Sequence, residues 1–429
     1  MRTSLKGIAN RAREDKNCRF RSLTREINIY LLKDCFEDMN KKAASGVDRV
    51  SYDDYQKNFY RNAMDLINRV KDGSYHASLV RRQYIPKGNG KLRPLGIPTI
   101  EDKLLQQAVR TILESIYEED FLKSSFGYRP KIGALDAIES LQKELNFGKY
   151  NWVVEADIKG FFDNINHEKL IEMLKKRIED KSFIRLIEKW LRAGVLDTDG
   201  KVIHPVTGTP QGGVISPMLA NIYMHNVLNE WVENVVKKHC KGNVHLCVYA
   251  DDFVCAFGNE EDAKKFYAIL PKRLGKYDLE VAPEKTKIIK FSRTGGDENE
   301  TFDFLGFEFS WAKSRLKKTD YVRLATAKKR FQRSVENLKE WCKTNRRLPV
   351  TEMIKKLNMK LNGVYNYFGV IGNYKSLKKF YEITTITLRK WLNKRSQRVS
   401  YTWEGFRNLL RNLPLARPKI VERKAKPLL

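Results

Sequence analysis

Apolar residues recur with two different periods along the chain, and the switches between them mark out its elements. Residues 22–42, SLTREINIYLLKDCFEDMNKK, predict a helix with Ser22 as cap, Arg25 and Glu26 in the first turn and lysines at its end. AASGVD ends that run, and the helical period returns from Tyr52 to Lys71. Residues 81–98, RRQYIPKGNGKLRPLGIP, alternate basic and apolar positions around Gly-Asn-Gly, which is a hairpin signal. Residues 101–122 are helical again. NWVVEADIKGFFDNINH (151–167) predicts a strand, a turn and a helix from about His167. Residues 207–236 begin as a Gly-rich loop and continue as a long helix. CVYADDFVCAF (247–257) follows as a hairpin, then a strand–helix unit ending in LEVAPEKTKIIKF (279–291), a loop RTGGDENET and a strand FDFLGFEF (302–309).

After Trp311 the pattern becomes helical and basic. Leu377, Phe380, Tyr381, Thr384, Leu388 and Trp391 share one helical spacing, while Lys378, Lys379, Arg389, Lys390, Lys394 and Arg395 occupy other faces. No internal repeat or low-complexity tract interrupts the chain.

Charge sharpens this division. The 429 residues carry a net charge of +29, and residues 311–429 hold 31 Lys and Arg against 7 Asp and Glu, a net of +24. The first 310 residues carry only +5. Such a balance points to a polyanionic partner, most simply nucleic acid, held by the basic C-terminal region. With 42% hydrophobic residues, the chain has room for two or three cored domains. No apolar run is long enough to span a bilayer and MRTSLKGIANRARED has no apolar signal core, so a cytoplasmic protein is expected. Six cysteines without a C-x-x-C pair argue for reduced, mostly buried thiols rather than zinc ligands or disulfides.

The candidate chemistry lies where carboxylates interrupt strands. Asp251 and Asp252 break an apolar hairpin, and Asp157 ends the strand WVVEAD. The pair at 251–252 could be the polar tip of a hairpin and nothing more. Two strand-end aspartates brought together in one sheet serve no hydrophobic core, whereas Mg²⁺ takes carboxylate oxygens together with substrate phosphates. Lys87, Lys91 and Arg93 in the 81–98 hairpin offer cations for phosphate oxygens, and glycines at 208–213 would let a backbone approach a flat substrate.

Taken in order, these segments resemble a known family. YADDFV looks like motif C of reverse transcriptases, EADIKGFFDNINH like motif A, TPQGGVISPMLANIYM like motif B and LEVAPEKTK like motif D. FDFLGF is similar to the motif that follows, and IPKGNGKLRPLGIP and FGYRP to the fingers motifs. The wording is that of group II intron-encoded reverse transcriptases, or maturases. LNGVYNYFGVIGNYKSLKKF and KWLNKRSQRVSYTWEGF are similar to their thumb or maturase domain, so the resemblance runs from about Arg19 to Ile420.

The resemblance implies roles. Asp157 and Asp251 are expected as metal ligands for two Mg²⁺ ions, with Mn²⁺ as a substitute, and the Ile158 carbonyl as a further oxygen. Asp252 would support the metal or the primer end. Arg93 and Lys87 would pair with triphosphate oxygens, Lys91 serving in place of Lys87 as an alternative. Gln211, Gly212 and Gly213 would line the nucleotide site, and Lys285 would approach the leaving pyrophosphate as proton donor, unless it is one more surface lysine. Arg129, Gly213, Tyr249 and Ala250 are expected near template, primer or incoming base. Phe162 would exclude a ribose 2′-hydroxyl, with Phe161 in the core. Lys378, Lys379, Lys394, Arg395 and Arg398 would bind RNA.

The implied architecture is α+β, a right-hand polymerase. It comprises an N-terminal helical extension (1–75), fingers (76–150), a palm on an antiparallel sheet (151–310, with a finger insertion at about 180–205) and a basic helical thumb (311–429). The implied function is RNA-templated DNA synthesis from a DNA or RNA primer. With it go binding and splicing of a group II intron RNA as a ribonucleoprotein, and intron mobility into a DNA target. Oligomeric state stays open. The chain stops at RPKIVERKAKPLL without paired histidines and cysteines, so no second-strand endonuclease is expected. Two rivals remain: a domesticated reverse transcriptase in host defence or repair, and a splicing factor with an inert polymerase.

Overall fold

Thr99 opens a deeply buried helix. Its hydroxyl accepts the Asp102 N–H at 3.1 Å, and the helix Ile100–Tyr117 that follows buries Ile100, Leu104, Leu105, Ala108, Val109, Ile112, Leu113 and Ile116 completely. At roughly 1.5–3 kcal/mol for each large apolar side chain, this helix is a principal source of core stability. The computed structural model describes residues 3–86, 92–209, 212–295, 300–313, 320–395 and 400–421.

The elements run in chain order as follows. Helices α1 (Thr3–Glu14), α2 (Ile29–Glu37), α3 (Tyr52–Lys57) and α4 (Phe59–Lys71) precede strands β1 (Val80–Pro86) and β2 (Leu92–Ile97). Then come α5 (Ile100–Tyr117), α6 (Ala134–Phe147), β3 (Trp152–Asp157), α7 (His167–Lys175), α8 (Lys181–Leu191), β4 (Val195–Leu196) and β5 (Val202–Ile203). Helix α9 (Ser216–Met224) continues through two π turns, His225–Asn229 and Val232–Val236, into α10 (Lys237–His239). Strands β6 (Val244–Tyr249) and β7 (Asp252–Phe257), helix α11 (Glu260–Gly275) and strands β8 (Lys287–Lys290), β9 (Phe302–Phe304), β10 (Phe307–Lys313) and β11 (Asp320–Thr326) follow. Helices α12 (Lys328–Thr344), α13 (Val350–Phe368), α14 (Tyr374–Leu392) and α15 (Trp403–Asn412) close the chain. The mixture is α+β, as the resemblance implies.

The chain forms two compact units. The first comprises 1–137, 154–255 and 260–287, the second 138–153, 256–259 and 288–429. In the first unit, β1 and β2 pair antiparallel as the hairpin signal predicts, with Ile85 opposite Arg93, in a sheet of order β2-β1-β4-β5. The sheet that carries the strand-end aspartates has the order β6-β7-β3-β8. Arg177 locks the N-terminal segment in place: its guanidinium donates to the carbonyls of Ala12, Asp15 and Cys18 and pairs with Asp120 at 2.9 Å.

In the second unit, β9, β10 and β11 form an antiparallel sheet and α12–α15 supply the helices. Asn146 and Gln142 cap strand β11 at its middle: Val322 N–H donates to Asn146 Oδ1 at 2.7 Å, and Gln142 Nε2 donates to Val322 O at 2.8 Å. Helix α14 buries Leu377, Phe380, Thr384 and Leu388, as its spacing predicts.

Four boundaries differ from the pattern-based expectation, one of them after Trp311, where β10 and β11 pair antiparallel and carry strand structure to Thr326 before the helices begin. Ser22 makes no side-chain cap. The helix begins instead after Asn28, whose side chain accepts the Tyr30 and Leu31 N–H groups. The helix predicted over 52–71 is broken at Asn58 into α3 and α4. FDFLGFEF is a hairpin and not one strand, because Leu305 (φ 49°) and Gly306 (φ 82°) turn the chain with two successive left-handed residues. The six cysteines form no disulfide. Among the described residues no helix is long and apolar enough to cross a membrane.

Candidate active site

Asp157 ends β3 and Asp252 begins β7, and these two strands are neighbours in the sheet. Strands β6 and β7 are joined by Ala250 and Asp251 alone, and Ala250 takes a left-handed conformation (φ 59°) to make so tight a reversal. The segment Ser124–Tyr128 holds this turn. Val248 N–H donates to Ser124 O at 2.8 Å and Phe126 N–H to Val248 O at 2.9 Å. A Cβ on Gly127 would stand 2.4 Å from Ala250 N, so only glycine lets the two backbones meet.

The carboxylates crowd one another. Asp252 is exposed overall, yet its carboxyl is pushed up to about 7. Desolvation by the surrounding protein is the main cause, followed by its hydrogen bond to Asp157 and the charges of Asp251 and Asp157. Burial also raises Asp251, with Asp157 adding to the effect and Lys285 and Arg93 opposing it. Lys285, in a short 3-10 turn (Pro283–Lys285), lays its ammonium 2.5 Å from Asp157 Oδ2. That bond, above all, raises the lysine's own pKa.

This donor set is all oxygen, crowded and partly desolvated, and a hard divalent cation suits it. Among the described residues no three His, Cys, Asp or Glu side chains converge closely enough to hold an ion by themselves. Backbone and substrate oxygens would therefore complete a coordination sphere, which is how Mg²⁺ is ordinarily bound. Ile158, expected to add a carbonyl oxygen, follows Asp157 directly. It faces Val281 across a bridge in which the flanking bonds run from Lys159 N–H to Glu280 O and from Ala282 N–H to Asp157 O. In such a pair the central residue's own carbonyl points away from the partner strand.

Phe161 is 1% exposed, as expected of a core ring, while Phe162 is half-buried. The Gly208 loop is stapled beneath Phe162. Thr209 N–H donates to Phe162 O at 2.8 Å, Gly208 N–H to Ile165 O at 2.8 Å, and His167 Nε2 to Gly208 O at 2.6 Å. Gly208 sits at φ 88°, where a Cβ would lie 2.8–2.9 Å from backbone atoms of Phe162 and Asp163.

Arg93 is exposed on β2, and its charge acts on Asp251 and Tyr128. Lys87, Lys91 and Gln211 lie outside the described residues. Gly212 (φ 110°) serves the protein's own backbone: a Cβ there would be 2.5 Å from Gly96 O. Gly213 is buried beside Gln106, Thr209 and Ser216, and Ala250 is buried in the turn. Tyr249 is half-buried at the end of β6.

Arg129, expected near template or incoming base, is engaged by groups of the protein itself. Its guanidinium is taken up by Glu118 Oε2 at 3.0 Å, by the carbonyls of Leu122 and Ser125, and by the ring of Phe121. The neighbouring Tyr128, which sequence reasoning misses, faces the site instead, with its ring 6.2 Å from that of Phe162 at 76°. The signal is present in FGYRP as an aromatic beside the arginine, but residue type does not show which of the two points outward.

In the second unit, Lys378, Lys379 and Lys394 are exposed on or just beyond α14. Lys394 stands with Arg346 and Lys390 around the ring of Trp391, each 5.8–5.9 Å from its centroid. Arg395 is half-buried with Nη2 3.4 Å from Met353 Sδ, so it is a packing residue as well as a charge. Arg398 lies outside the described residues.

Residues 85–309 match the family described as reverse transcriptase (RNA-dependent DNA polymerase), and residues 329–409 match the group II intron, maturase-specific domain. The chain is 49% identical over 163 residues to the group II intron-encoded protein LtrA of Lactococcus lactis subsp. cremoris, over 38% of this chain and 27% of that protein. It is 34% identical over 237 residues to protein YkfC of Escherichia coli (strain K12), over 49% of this chain and 62% of that protein. It is 37% identical over 179 residues to a putative COX1/OXI3 intron 1 protein of Saccharomyces cerevisiae, over 42% of this chain and 21% of the other. The match thus spans about a quarter of the Lactococcus protein's length. Reverse transcriptases as a family work with divalent metal ions. Since the matched region takes in more than half of the chain and contains both strand-end aspartates, this chain belongs to the reverse transcriptase family, in the branch that carries the maturase-specific domain of group II introns.

Proposed function

We propose that the protein is an RNA-directed DNA polymerase that also binds and helps splice a group II intron RNA. The observation that carries the catalytic reading is the meeting of Asp157 with Asp252 and the Asp251 turn under the ammonium of Lys285. In the reaction, the primer's 3′-hydroxyl oxygen forms a bond to the α-phosphorus of a dNTP as the bond from that phosphorus to the bridging oxygen breaks and pyrophosphate leaves. Two Mg²⁺ ions, with Mn²⁺ as a substitute, would supply charge at the attacking and leaving oxygens when held by Asp157, Asp251 and the Ile158 carbonyl. Lys285 is free enough, with its side chain 60% exposed, to leave Asp157 and deliver a proton to pyrophosphate. Arg93, with Lys87 or Lys91, clamps the triphosphate, and Phe162 closes the space a ribose 2′-hydroxyl would need.

In this reading residues 1–75 are the N-terminal extension, 76–150 the fingers, 151–310 the palm and 311–429 the thumb. The thumb's charge and its Trp391 cluster support binding of intron RNA. The protein works in the cytoplasm as a ribonucleoprotein, with RNA template, primer and DNA target as partners. Primer extension on poly(rA)/oligo(dT) tests the catalytic reading. Asp157→Ala and Asp251→Ala should each remove orders of magnitude of rate, and extension near wild type by either variant would refute it. Extension by the wild-type protein would also separate this reading from a splicing factor with an inert polymerase.

A further inference from the structure

Tyr128 has an uncommon combination of features. It is not glycine, yet its backbone is left-handed (φ 56°). A conformation of this kind persists only when the surroundings over-determine it, and it clusters at functional sites. Here both neighbours are locked. Gly127 is wedged against Ala250, and its carbonyl accepts from Asn221 Nδ2 at 2.6 Å. Arg129 is tied to Glu118, Leu122 and Ser125. The strained residue between them leaves 41% of its surface exposed and sets its ring edge-on to Phe162, centroids 6.2 Å apart at 76°. The ring of Phe162 meets two others, that of Phe161 at 5.5 Å and that of Tyr128 at 6.2 Å. The Phe162 backbone is fixed from below by Thr209.

We infer that Tyr128 is a positioning residue for sugar selection: its ring keeps Phe162 upright where the C2′ of an incoming nucleotide passes. The inference rests on the reading of Phe162 as the ring that excludes a 2′-hydroxyl. An edge-to-face pair restrains both rings, so a truncated partner frees Phe162 to rotate out of the way. The ring does this, and the phenol hydroxyl is not needed.

The test uses the full chain on a defined RNA template and DNA primer with one templating uridine, comparing dATP with ATP. The readout is the ratio of kcat/KM values, with melting temperature measured in parallel. Phe162→Ala should collapse the ratio. Tyr128→Ala should lower it by roughly two- to tenfold, chiefly through a lower KM for ATP, and Tyr128→Phe should restore the wild-type value. If Tyr128→Ala melts early, Tyr128→Leu replaces it, filling volume without an edge-on ring, and should give the same lowered ratio. An unchanged ratio in the Ala and Leu variants while Phe162→Ala loses discrimination overturns this inference and leaves the reading of Phe162 intact. A ratio that falls as far in Tyr128→Phe as in Tyr128→Ala overturns it too. If Phe162→Ala keeps its preference for dATP, the reading of Phe162 fails and the inference falls with it.

Discussion

The ammonium of Lys285 lies 2.5 Å from Oδ2 of Asp157, a residue 128 positions earlier in the chain. The charge of this lysine also acts on Asp251 and Asp252, and Arg93 adds a second positive charge that acts on Asp251. The excess of negative charge makes the site a place where stability is given up for chemistry.

Asp252→Asn should therefore stabilise the protein when divalent cations are chelated. The Asp252 carboxyl is raised in the folded protein from its ordinary value to about 7. Ionisation then costs folding free energy progressively as pH rises from about 4 to about 7. With solvent screening at an exposed residue, the gain on substitution should be at most about 1 kcal/mol. It should be present at pH 8, shrink by pH 4.5, and narrow at pH 8 when Mg²⁺ or Mn²⁺ is added. Thermal melts with chelator and with metal measure it. Equal melting temperatures for both proteins at pH 8 in chelator would show that the carboxylates do not repel.

His225 should make the protein acid-sensitive. Burial, with the charges of Lys176, Arg129 and Lys16, lowers its pKa to about 4, and its ring packs edge-on against Phe121. A folded-state pKa below the unfolded value of 6.5 means that stability is complete above 6.5 and is lost as pH falls toward 4. By pH 4.5 the loss amounts to about 2 kcal/mol. In His225→Phe the decline between pH 7 and pH 4.5 should be shallower by about that amount. Urea unfolding at several pH values gives the comparison, and parallel curves for the two proteins would exclude the role.

Gly208→Ala should disturb Phe162 from beneath. A left-handed alanine costs about 1–2 kcal/mol by itself, and its Cβ would press on backbone atoms of Phe162 and Asp163 at 2.8–2.9 Å. The variant should melt earlier and discriminate less between dNTP and rNTP. Wild-type selectivity in a folded Gly208→Ala would mean that the staple does not position the ring.

Salt dependence of RNA binding should separate charges that meet phosphate from those that pack. Lys378, Lys379, Lys390 and Lys394 are exposed, whereas Arg395 lies against Met353. Neutralising the four lysines should reduce the log–log salt slope by about 0.7–0.9 for each phosphate left without its cation. Arg395→Gln should instead lower the melting temperature. Filter binding to a structured RNA across a salt series reads the slope. An unchanged slope and affinity would show that these lysines only face solvent.

Much of this protein is legible from its residues in order. The apolar runs that carry Asp157 in WVVEAD and follow Asp252 in FVCAF, the period of 3.6 from Leu377 to Leu388, and the concentration of +24 in the last 119 residues are properties of local residue type and order. They determined the hairpin at 81–98, the strand ending at Asp157, the turn at Asp251 and the basic helix. Motif order pointed to the family for the same reason, since it needs no knowledge of contacts. Tertiary structure alone decided where side chains point and what they touch. Tyr128 faces Phe162 while Arg129 turns inward because Gly127 is pinned to a turn more than 120 residues later. Gly212 is a glycine because β2 comes within reach of its missing Cβ. Asn28, and not Ser22, caps α2, and Leu305–Gly306 makes a hairpin of an apparently continuous strand. Periodicity reports which face of an element is buried, but the partner that buries it is chosen by packing between residues far apart in the chain, and that choice cannot be read from local residue types.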